Sequence, residues 1–256
     1  MQKLGQHFLK NTAALQLIVN TLDLKSNETI IEIGPGHGEL IKNQKSETKN
    51  LKWIAIEKDP GLAQQLKNTY EGNPQVEIVE GDALRILKLP AFGLHLSIFK
   101  LVGNIPYYIT GHLLRILGEL ERKPALCVFT IQKEVAERIV AEPPRMNRLA
   151  ASVQFWAEPK ILKILPAEDF SPPPKVDSAI IKLEAKDQKS ETEKEKYYRI
   201  MRMLFAQPRK TILNNLEGER ESKKEIIELL RTLNLDPNDR PQNLNIKDIA
   251  SIAALF

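Results

Sequence analysis

The sequence predicts an α/β fold, in which an open sheet of parallel strands is followed by a smaller domain made only of helices. Two observations lead to this prediction. Short apolar runs alternate with segments of helical spacing in the first part of the chain, and only helical patterns remain after residue 196. The apolar runs are uninterrupted, as is typical of strands buried on both faces of a parallel sheet. Their alternation with helices implies right-handed crossover connections.

The predicted elements follow from these patterns in chain order. Strand-like runs occur at Thr29–Ile33, Trp53–Ile56, Val76–Val79, Phe99–Val102 and Ala125–Ile131. Helical spacing occurs at Asn11–Leu22, with Asn11 as its N-cap, and at Pro60–Tyr70, Thr110–Leu120 and Lys133–Val140. Two later strands are predicted at Lys160–Leu165 and Ser178–Leu183. Their connection contains three consecutive prolines, which hold the chain extended.

The charged stretch Glu184–Lys196 has no apolar periodicity, and we interpret it as a solvated linker. It places the domain boundary after residue 185, so that residues 1–185 form the α/β domain and residues 186–256 the helical one. Helices are predicted there at Tyr197–Leu216, Lys223–Leu233 and Ile246–Leu255.

Composition narrows the class of protein. The chain has 256 residues, of which 42% are hydrophobic, and a net charge of +4 that permits an anionic partner without requiring one. Its single cysteine, Cys127, excludes an intrachain disulfide and a cysteine-based metal cluster, and we expect no metal. No apolar run approaches the roughly 20 residues of a membrane span, and the first residues do not resemble a signal peptide. We expect a cytoplasmic protein without membrane association.

A glycine-rich turn follows the first strand of the sheet. The segment Glu32–Gly38 runs from a buried strand into Gly-x-Gly-x-Gly, where Gly34 and Gly36 allow a ligand to approach the main chain. The dinucleotide pattern is absent because Glu39 stands where its last glycine would be, which disfavours a nicotinamide dehydrogenase. A purely structural turn would give the same pattern.

Two carboxylates follow the next two strands. Glu57 lies about 20 residues after the glycines, where an acidic side chain can accept both hydroxyls of a ribose. Asp82 follows the third strand, where it can accept from an adenine amino group. Either residue alone could be a solvated or helix-capping carboxylate. Together they indicate a pocket for an adenosine at the switch point of the sheet.

The turn Asn104-Ile105-Pro106-Tyr107 follows the fourth strand and suits the methylation of an exocyclic amine by a methyl sulfonium. The lone pair of adenine N6 is delocalised into the ring. Two acceptors, the Asn104 side-chain oxygen and the carbonyl of Ile105 or Pro106, can localise it on the nitrogen. Pro106 also fixes the turn, and Tyr107 can stack on a base that has left its helix. The alternative is a strand-ending turn with a buried tyrosine.

Eight segments in order resemble the ribosomal RNA adenine dimethyltransferases of the KsgA/RsmA type over nearly the full length. They are Gly5–Leu9, Glu32–Gly38, Ile56–Asp59, Gly81–Ala83, Asn104–Thr110, Gln132–Arg138, Phe170–Ser178 and Arg209–Thr211. The resemblance implies a Rossmann-like S-adenosylmethionine-dependent methyltransferase domain with a small C-terminal all-helical, RNA-binding domain. It also implies that His7 and Leu9 border the cofactor, together with Gly34, Glu57, Asp82 and Asn104.

The activity implied by the resemblance is dimethylation of N6 on two adjacent adenosines near the 3′ end of small-subunit (16S) rRNA, in an immature 30S particle. We expect a monomer. Departures from the family pattern occur at Met146–Ala150, at Pro208 and in the short basic arm at Lys3. Candidates for phosphate contacts are Lys133, Arg138, Arg145, Arg148, Lys175, Arg209 and Lys210, although any one of them could be a solvated surface charge.

Two further functions stay open at this point. A sister class methylates an adenine of large-subunit (23S) rRNA and shares the glycine turn and the Asn-x-Pro-Tyr turn; the segment Pro174–Ser178 and the start Gly5–Phe8 favour the small-subunit enzyme. A non-catalytic ribosome-assembly factor on the same scaffold should have lost Glu57, Asp82 or Asn104, and all three are present.

Overall fold

The computed structural model describes residues 6–44, 48–89, 98–187, 190–217 and 222–256, so that Lys3 and Gly5 lie outside the described residues. The chain divides into two compact units, each made of two separate segments of the sequence. The first unit comprises residues 1–136 and 158–185, and the second comprises residues 137–157 and 186–256. The predicted assignment of residues 137–157 to the α/β domain is therefore wrong, because this segment packs with the helices that follow residue 185.

The first unit is built on a sheet in which seven strands are seen among the described residues. The strands are β2 Thr29–Ile33, β3 Lys52–Glu57, β4 Val76–Glu80, β5 Phe99–Asn104, β6 Leu126–Gln132, β7 Ala157–Leu165 and β9 Ser178–Ala185. Their order across the sheet is β4-β3-β2-β5-β6-β9-β7. Strands β2 to β6 pair in parallel, whereas β9 runs antiparallel to β6. A small antiparallel pair, β1 Phe8–Leu9 with β8 Phe170–Ser171, lies outside this sheet.

The strand order places a switch point between β2 and β5. The chain adds β3 and β4 on one side of β2 and then returns to add β5 and β6 on the other side. In open α/β sheets ligands bind at such a point, beyond the carboxyl ends of the strands. The predicted α/β fold is confirmed, and the topology marks the edge where the site lies.

The helices of this part of the chain begin near their predicted starts. They are α1 Thr12–Thr21, α2 Glu39–Asn43, α3 Pro60–Thr69, α4 Ala83–Ile86, α5 Thr110–Glu119 and α6 Lys133–Ile139. Asn11 caps α1 by accepting the N–H of Ala14, as its side-chain chemistry predicts. Strand–helix packing buries a core that includes Leu15, Ile30 and Trp53.

The second unit is helical within the described residues, with its own apolar core. Its helices are α7 Arg148–Gln154, α8 Glu191–Leu204, α9 Ile212–Leu216, α10 Lys223–Thr232 and α11 Ile246–Leu255. Its core includes Ile200, Leu204, Ile226 and Ile249, all fully buried. Phe155, from the segment that the sequence predicted to belong to the α/β domain, stacks on Tyr197 with ring centroids 3.8 Å apart.

Two predictions in this unit need correction. The stretch interpreted as a linker is partly helical, because Ser190 and Glu193 form a capping box that begins α8 at Glu191. Its first turns are solvent-exposed, so they show no apolar periodicity. The helix predicted over Tyr197–Leu216 ends at Leu204, and Thr211 caps a separate α9 after Pro208, which could not continue a helix.

A buried carboxyl lies in the middle of the sheet. Glu32 is 2% exposed and accepts the indole N–H of Trp53 at 2.8 Å. Burial is the main cause that raises its pKa from 4.5 to about 8; Glu57 and Glu39 raise it further, and the Trp53 hydrogen bond opposes them. Because the folded pKa lies above the ordinary value, the folded chain holds this proton more tightly than the unfolded chain. The protonated Glu32 carboxyl therefore contributes to folding stability in acid, and this contribution is lost as the pH rises from about 4.5 to about 8.

We expect Glu32→Gln to stabilise the first unit near pH 8.5 and to change its stability little near pH 5. The glutamine oxygen can still accept the Trp53 N–H, and no proton is lost as the pH rises. The free energy of unfolding of wild type should fall by about 1.4 kcal/mol per pH unit as the pH rises toward the raised pKa of Glu32. The free energy of unfolding of Glu32→Gln should lack this dependence on pH. Urea unfolding followed by Trp53 fluorescence in a Trp156→Phe background measures it. Glu77→Gln, at an exposed position on β4, is the control; equal slopes in wild type and Glu32→Gln would contradict the prediction.

Candidate active site

Four strand ends of the first unit surround one cleft. β2 ends at Ile33, β3 at Glu57, β4 at Glu80 and β5 at Asn104, all at the carboxyl edge of the sheet. The space in the cleft is about 860 Å³, which includes solvent at its open mouth. Of the predicted site residues it is lined by His7, Gly34, Gly36, Glu57, Asp82, Asn104, Pro106 and Tyr107.

The glycine turn forms one wall of the cleft. Gly34 and Gly36 have φ of +65° and +59°, in the left-handed region that side chains disfavour. A Cβ on Gly36 would lie 2.7 Å from the ring of Phe8, whereas no atom lies within 4 Å of a Cβ built on Gly34. Gly34 therefore presents bare main chain to open space, which is what a closely bound ligand requires.

Glu57 is a buried carboxylate with two main-chain partners. Its Oε2 accepts the N–H of Gly36 at 3.1 Å and its Oε1 accepts the N–H of Asp59 at 2.8 Å. Each carboxylate oxygen can accept a second hydrogen bond, so the group can still receive a pair of hydroxyls. Glu57 thus holds the glycine turn in shape and offers acceptors to the cleft.

Asp82 forms an ion pair across the cleft edge. Its Oδ2 lies 3.0 Å from the Lys58 ammonium, and its Oδ1 caps α4 by accepting the N–H of Leu84. Burial raises the pKa of Asp82, but the hydrogen bonds from Lys58 and Leu84 outweigh it and the net pKa is lowered. The carboxylate stays charged and keeps a free lone pair on Oδ2, so it can accept an amino group beside Lys58.

The side chain of Asn104 has a defined orientation. Its Nδ2 donates to the main-chain carbonyl of His7 at 2.6 Å. A carbonyl only accepts, so the amide nitrogen must face His7 and the amide oxygen must face away from it. This contact leaves Oδ1 available to accept from a bound amine.

Ile105 and Pro106, the next two residues of this turn, differ in whether the main-chain carbonyl accepts a hydrogen bond. The Pro106 carbonyl accepts the N–H of Ile109 at 3.0 Å, while no hydrogen bond reaches the Ile105 carbonyl within the part of the chain that the structure describes. Of the two acceptors left open by the sequence, Ile105 is therefore the one with a free carbonyl, and Pro106 shapes the turn.

Tyr107 is half-buried and has two side-chain neighbours at the cleft. Its ring stacks against the His7 imidazole, with centroids 6.0 Å apart, and its hydroxyl lies 2.7 Å from the Ser178 hydroxyl. Burial raises the pKa of Tyr107 and the Ser178 hydrogen bond lowers it, with a net rise. The phenol therefore stays protonated near neutral pH.

The N-terminal strand brings His7 to the cleft but not Leu9. The Nδ1–H of His7 donates to the Pro172 carbonyl at 2.8 Å, a direction fixed because the carbonyl only accepts. Successive side chains of a strand point to opposite sides, so Phe8 lines the cleft and Leu9 enters the core at 5% exposure. The Leu9 side chain is therefore not among those that line the cleft, and contact of Leu9 with the cofactor stays a prediction.

Among the residues that sequence reasoning missed are Phe8 and Lys58, which line the cleft, and Ser178, which contacts Tyr107. Phe8 and Lys58 directly follow predicted site residues in the chain, but no local pattern distinguished them. Nothing local in the sequence links Ser178 to Tyr107, since 71 residues separate them.

The residues present fit an adenosine-bearing cofactor. Two carboxylates with free lone pairs, Glu57 and Asp82, suit ribose hydroxyls and an adenine amino group. The apolar residues Ile33, Ile56 and Ala83 also line the cleft and suit a flat ring. No group of three or more histidine, cysteine, aspartate or glutamate side chains in the described ranges could hold a metal ion. The described helices are also too short or too polar to cross a membrane.

Comparison with known proteins agrees with this geometry. The family model described as "Ribosomal RNA adenine dimethylase" matches residues 1–256. The chain is 36% identical to the Ribosomal RNA small subunit methyltransferase A of Dehalococcoides mccartyi, over 99% of this chain and 87% of that protein. It also matches the crystal structure of a dimethyladenosine transferase from Plasmodium falciparum, with a TM-score of 0.77, 27% identity and 96% of each chain covered.

A likeness of fold extends to the crystal structure of the 23S rRNA methyltransferase ErmE, with a TM-score of 0.77, 22% identity and 96% and 98% of the two chains covered. The family model matches every residue of the chain, and the D. mccartyi relative is more than a third identical. These two matches, unlike the likeness to ErmE, identify the family. The chain therefore belongs to the ribosomal RNA adenine dimethylases, enzymes that methylate adenine in ribosomal RNA with S-adenosylmethionine as the methyl donor.

Proposed function

We propose that this chain, as a monomer in the cytoplasm and without a metal ion, dimethylates N6 of two adjacent adenosines near the 3′ end of small-subunit rRNA in an immature 30S particle. The orientation of Asn104 supports the chemistry, because its amide oxygen faces away from His7 and is free to accept from a bound amine. The name of the D. mccartyi relative supports the small subunit as the target. The ErmE likeness reaches the fold alone and does not favour the large-subunit reaction.

The proposed chemistry uses the Asn104 turn to activate a poor nucleophile. Asn104 Oδ1 and the Ile105 carbonyl accept the two hydrogens of N6, which localises the lone pair on the nitrogen. Tyr107 stacks on the adenine and Pro106 keeps the turn rigid. S-adenosylmethionine, when bound, supplies a methyl group on a positively charged sulfur. Most of the acceleration comes from holding the amine in line with that group.

Glu57, Asp82, Gly34 and Gly36 form the cofactor subsite in this proposal. Glu57 accepts from the ribose, Asp82 accepts from the adenine amino group, and the bare main chain at Gly34 allows close approach. Lys58 keeps Asp82 ionised and in place. His7 contributes through the Asn104 contact and its position at the cleft wall.

We expect Glu57→Ala to weaken S-adenosylmethionine binding by roughly 1.5–3 kcal/mol, since the variant lacks an acceptor of two hydrogen bonds and the glycine turn lacks its anchor. Titration calorimetry measures the affinity. Asp59→Ala is the matched control: Asp59 caps α3 next to Glu57 and does not line the cleft, so its variant should bind almost normally. Equal affinities of wild type and Glu57→Ala would remove Glu57 from the cofactor subsite.

We expect Asn104→Ala to lower kcat by about 10²–10³-fold while S-adenosylmethionine affinity falls by only a few fold. The amide oxygen that this variant lacks acts on the amine during the reaction. Single-turnover methylation gives the rate, and calorimetry gives the affinity. Asn20→Ala is the control, because that amide is exposed on α1 and accepts a hydrogen bond from Gln16. Turnover at the wild-type rate in Asn104→Ala would refute the proposed amine activation.

The second unit carries an exposed basic surface that we propose binds rRNA backbone. A hydrogen bond from Met146 N–H to the Gln242 carbonyl and one from Ile212 N–H to the Asp239 carbonyl bring three chain segments together. Their exposed cations, for which no ion pair occurs among the described residues, are Arg145, Arg148, Arg209, Lys210 and Arg240. Lys133, by contrast, lies 4.0 Å from Asp177 in the first unit and is a weaker candidate.

We expect labelled methyl groups to appear on adjacent adenosines of unmodified small subunits and not on large subunits. The double reversal Arg209→Glu with Lys210→Glu should weaken binding to small subunits and lower the salt dependence of log K by about 2, because two cations no longer pair with phosphates. Methyl incorporation followed by mapping of the modified bases tests the target, and binding at several salt concentrations tests the phosphate pairing.

Lys223→Glu with Lys224→Glu is the matched control, since it reverses two exposed charges on α10 of the same unit. Label confined to large-subunit rRNA would overturn the small-subunit assignment and leave the amine chemistry standing. A salt dependence unchanged by the Arg209 and Lys210 reversals would remove these two residues from the RNA-binding surface.

A further inference from the structure

A buried serine hydroxyl contacts the phenol hydroxyl of Tyr107. Ser178 is fully buried, and its Oγ lies 2.7 Å from the Tyr107 hydroxyl. It is the first residue of β9, where its main chain pairs with Gln132 of β6. The preceding carbonyl, of Asp177, accepts the N–H of Lys133 at 3.0 Å. The sheet itself therefore fixes the position of this hydroxyl.

Tyr107 needs such an anchor because its own backbone constrains the ring little. It belongs to the 3₁₀ turn Tyr107–Ile109, and short turns of this kind have poor hydrogen-bond geometry. The His7 imidazole supports one face of the ring, but at a centroid distance of 6.0 Å that contact is loose. The Ser178 bond is thus the contact that sets where the far end of the ring lies.

We infer that Ser178 is a positioning residue that holds Tyr107 for the second of the two methyl transfers to the same nitrogen. The inference rests on the proposed function, in which Tyr107 stacks on the target adenine. The two transfers differ in how far the orientation of the adenine depends on stacking against Tyr107. In the first, N6 offers two hydrogens to Asn104 Oδ1 and the Ile105 carbonyl; in the second it has one hydrogen and a methyl group, so one of these hydrogen bonds is missing.

The bonds formed and broken are the same in both transfers. The N6 lone pair forms a bond to the methyl carbon, the carbon–sulfur bond breaks with its electron pair going to sulfur, and one N6 proton passes to water. Because the monomethylated base donates only one hydrogen bond, its orientation depends more on stacking against Tyr107. A ring freed from Ser178 should therefore slow the second transfer more than the first.

We expect Ser178→Ala to raise the ratio of monomethyladenosine to dimethyladenosine at the target by about tenfold, the factor that about 1.4 kcal/mol of lost transition-state stabilisation gives. S-adenosylmethionine affinity should stay at the wild-type value. Ser178→Thr keeps the hydroxyl and should restore the wild-type ratio. Thr29→Val is the matched control, since it removes a buried hydroxyl at the amino end of β2, whereas the cleft lies at the carboxyl ends of the parallel strands.

Tyr107→Phe tests the same bond from the other side. It keeps the ring and removes the hydroxyl, so it should raise the ratio to a similar extent. The double variant should be no worse than either single one, because both remove one interaction. A readout independent of turnover is the pKa of the Tyr107 phenol, followed by NMR of ¹³C-labelled tyrosine. The Ser178 bond lowers that pKa, so Ser178→Ala should raise it.

The outcomes separate this inference from the proposed function. If wild type modifies no small-subunit adenosine, the proposed function fails. If wild type does so and Ser178→Ala leaves both the ratio and the Tyr107 pKa unchanged, the positioning role alone is overturned. Additive effects of Ser178→Ala and Tyr107→Phe would also overturn it, since the two residues would then act separately.

Discussion

The close approach of two strand ends is the constraint on which the cleft depends. A Cβ on Gly103, next to last in β5, would lie 2.5 Å from the main-chain oxygen of Ile33, at the end of β2. Only a residue without a side chain allows this distance without backbone movement. The contact sets the end of β5 against the start of the glycine turn, so that Asn104 and Gly34 line the same cleft. The Asn104 turn and the glycine turn are thereby held together.

His7 links the parts of the site that come from distant segments. Its carbonyl accepts from Asn104, its ring stacks against Tyr107, and its Nδ1–H donates to Pro172. One residue thus orients the amide and supports the ring, while its own position is fixed by the chain that leads to β9. Preorganisation of this kind places acceptors before the substrate arrives, which is where catalysis by positioning gains its rate.

Three carboxyl groups near the glycine turn show how environment decides the role of one chemical group. Glu32, buried against Trp53, keeps its proton up to a pKa of about 8 and packs as a neutral side chain. Glu57 is also buried but accepts hydrogen bonds from two main-chain N–H groups. Asp82 lies at the cleft edge, where Lys58 keeps its pKa low. The partners available, more than burial alone, separate the three roles.

The sequence by itself determined the local elements and much of the cleft. Uninterrupted apolar runs identified the parallel strands to within a few residues, because burial on both faces leaves a local pattern. The polar residues that end those strands, such as Glu57 and Asn104, could then be assigned to one edge. Only the tertiary structure decided that Leu9 turns into the core, that residues 137–157 pack with the C-terminal helices, and that Ser178 meets Tyr107. These facts depend on contacts between segments far apart in the chain, and periodicity carries no information about such contacts because it arises from neighbours within a few residues.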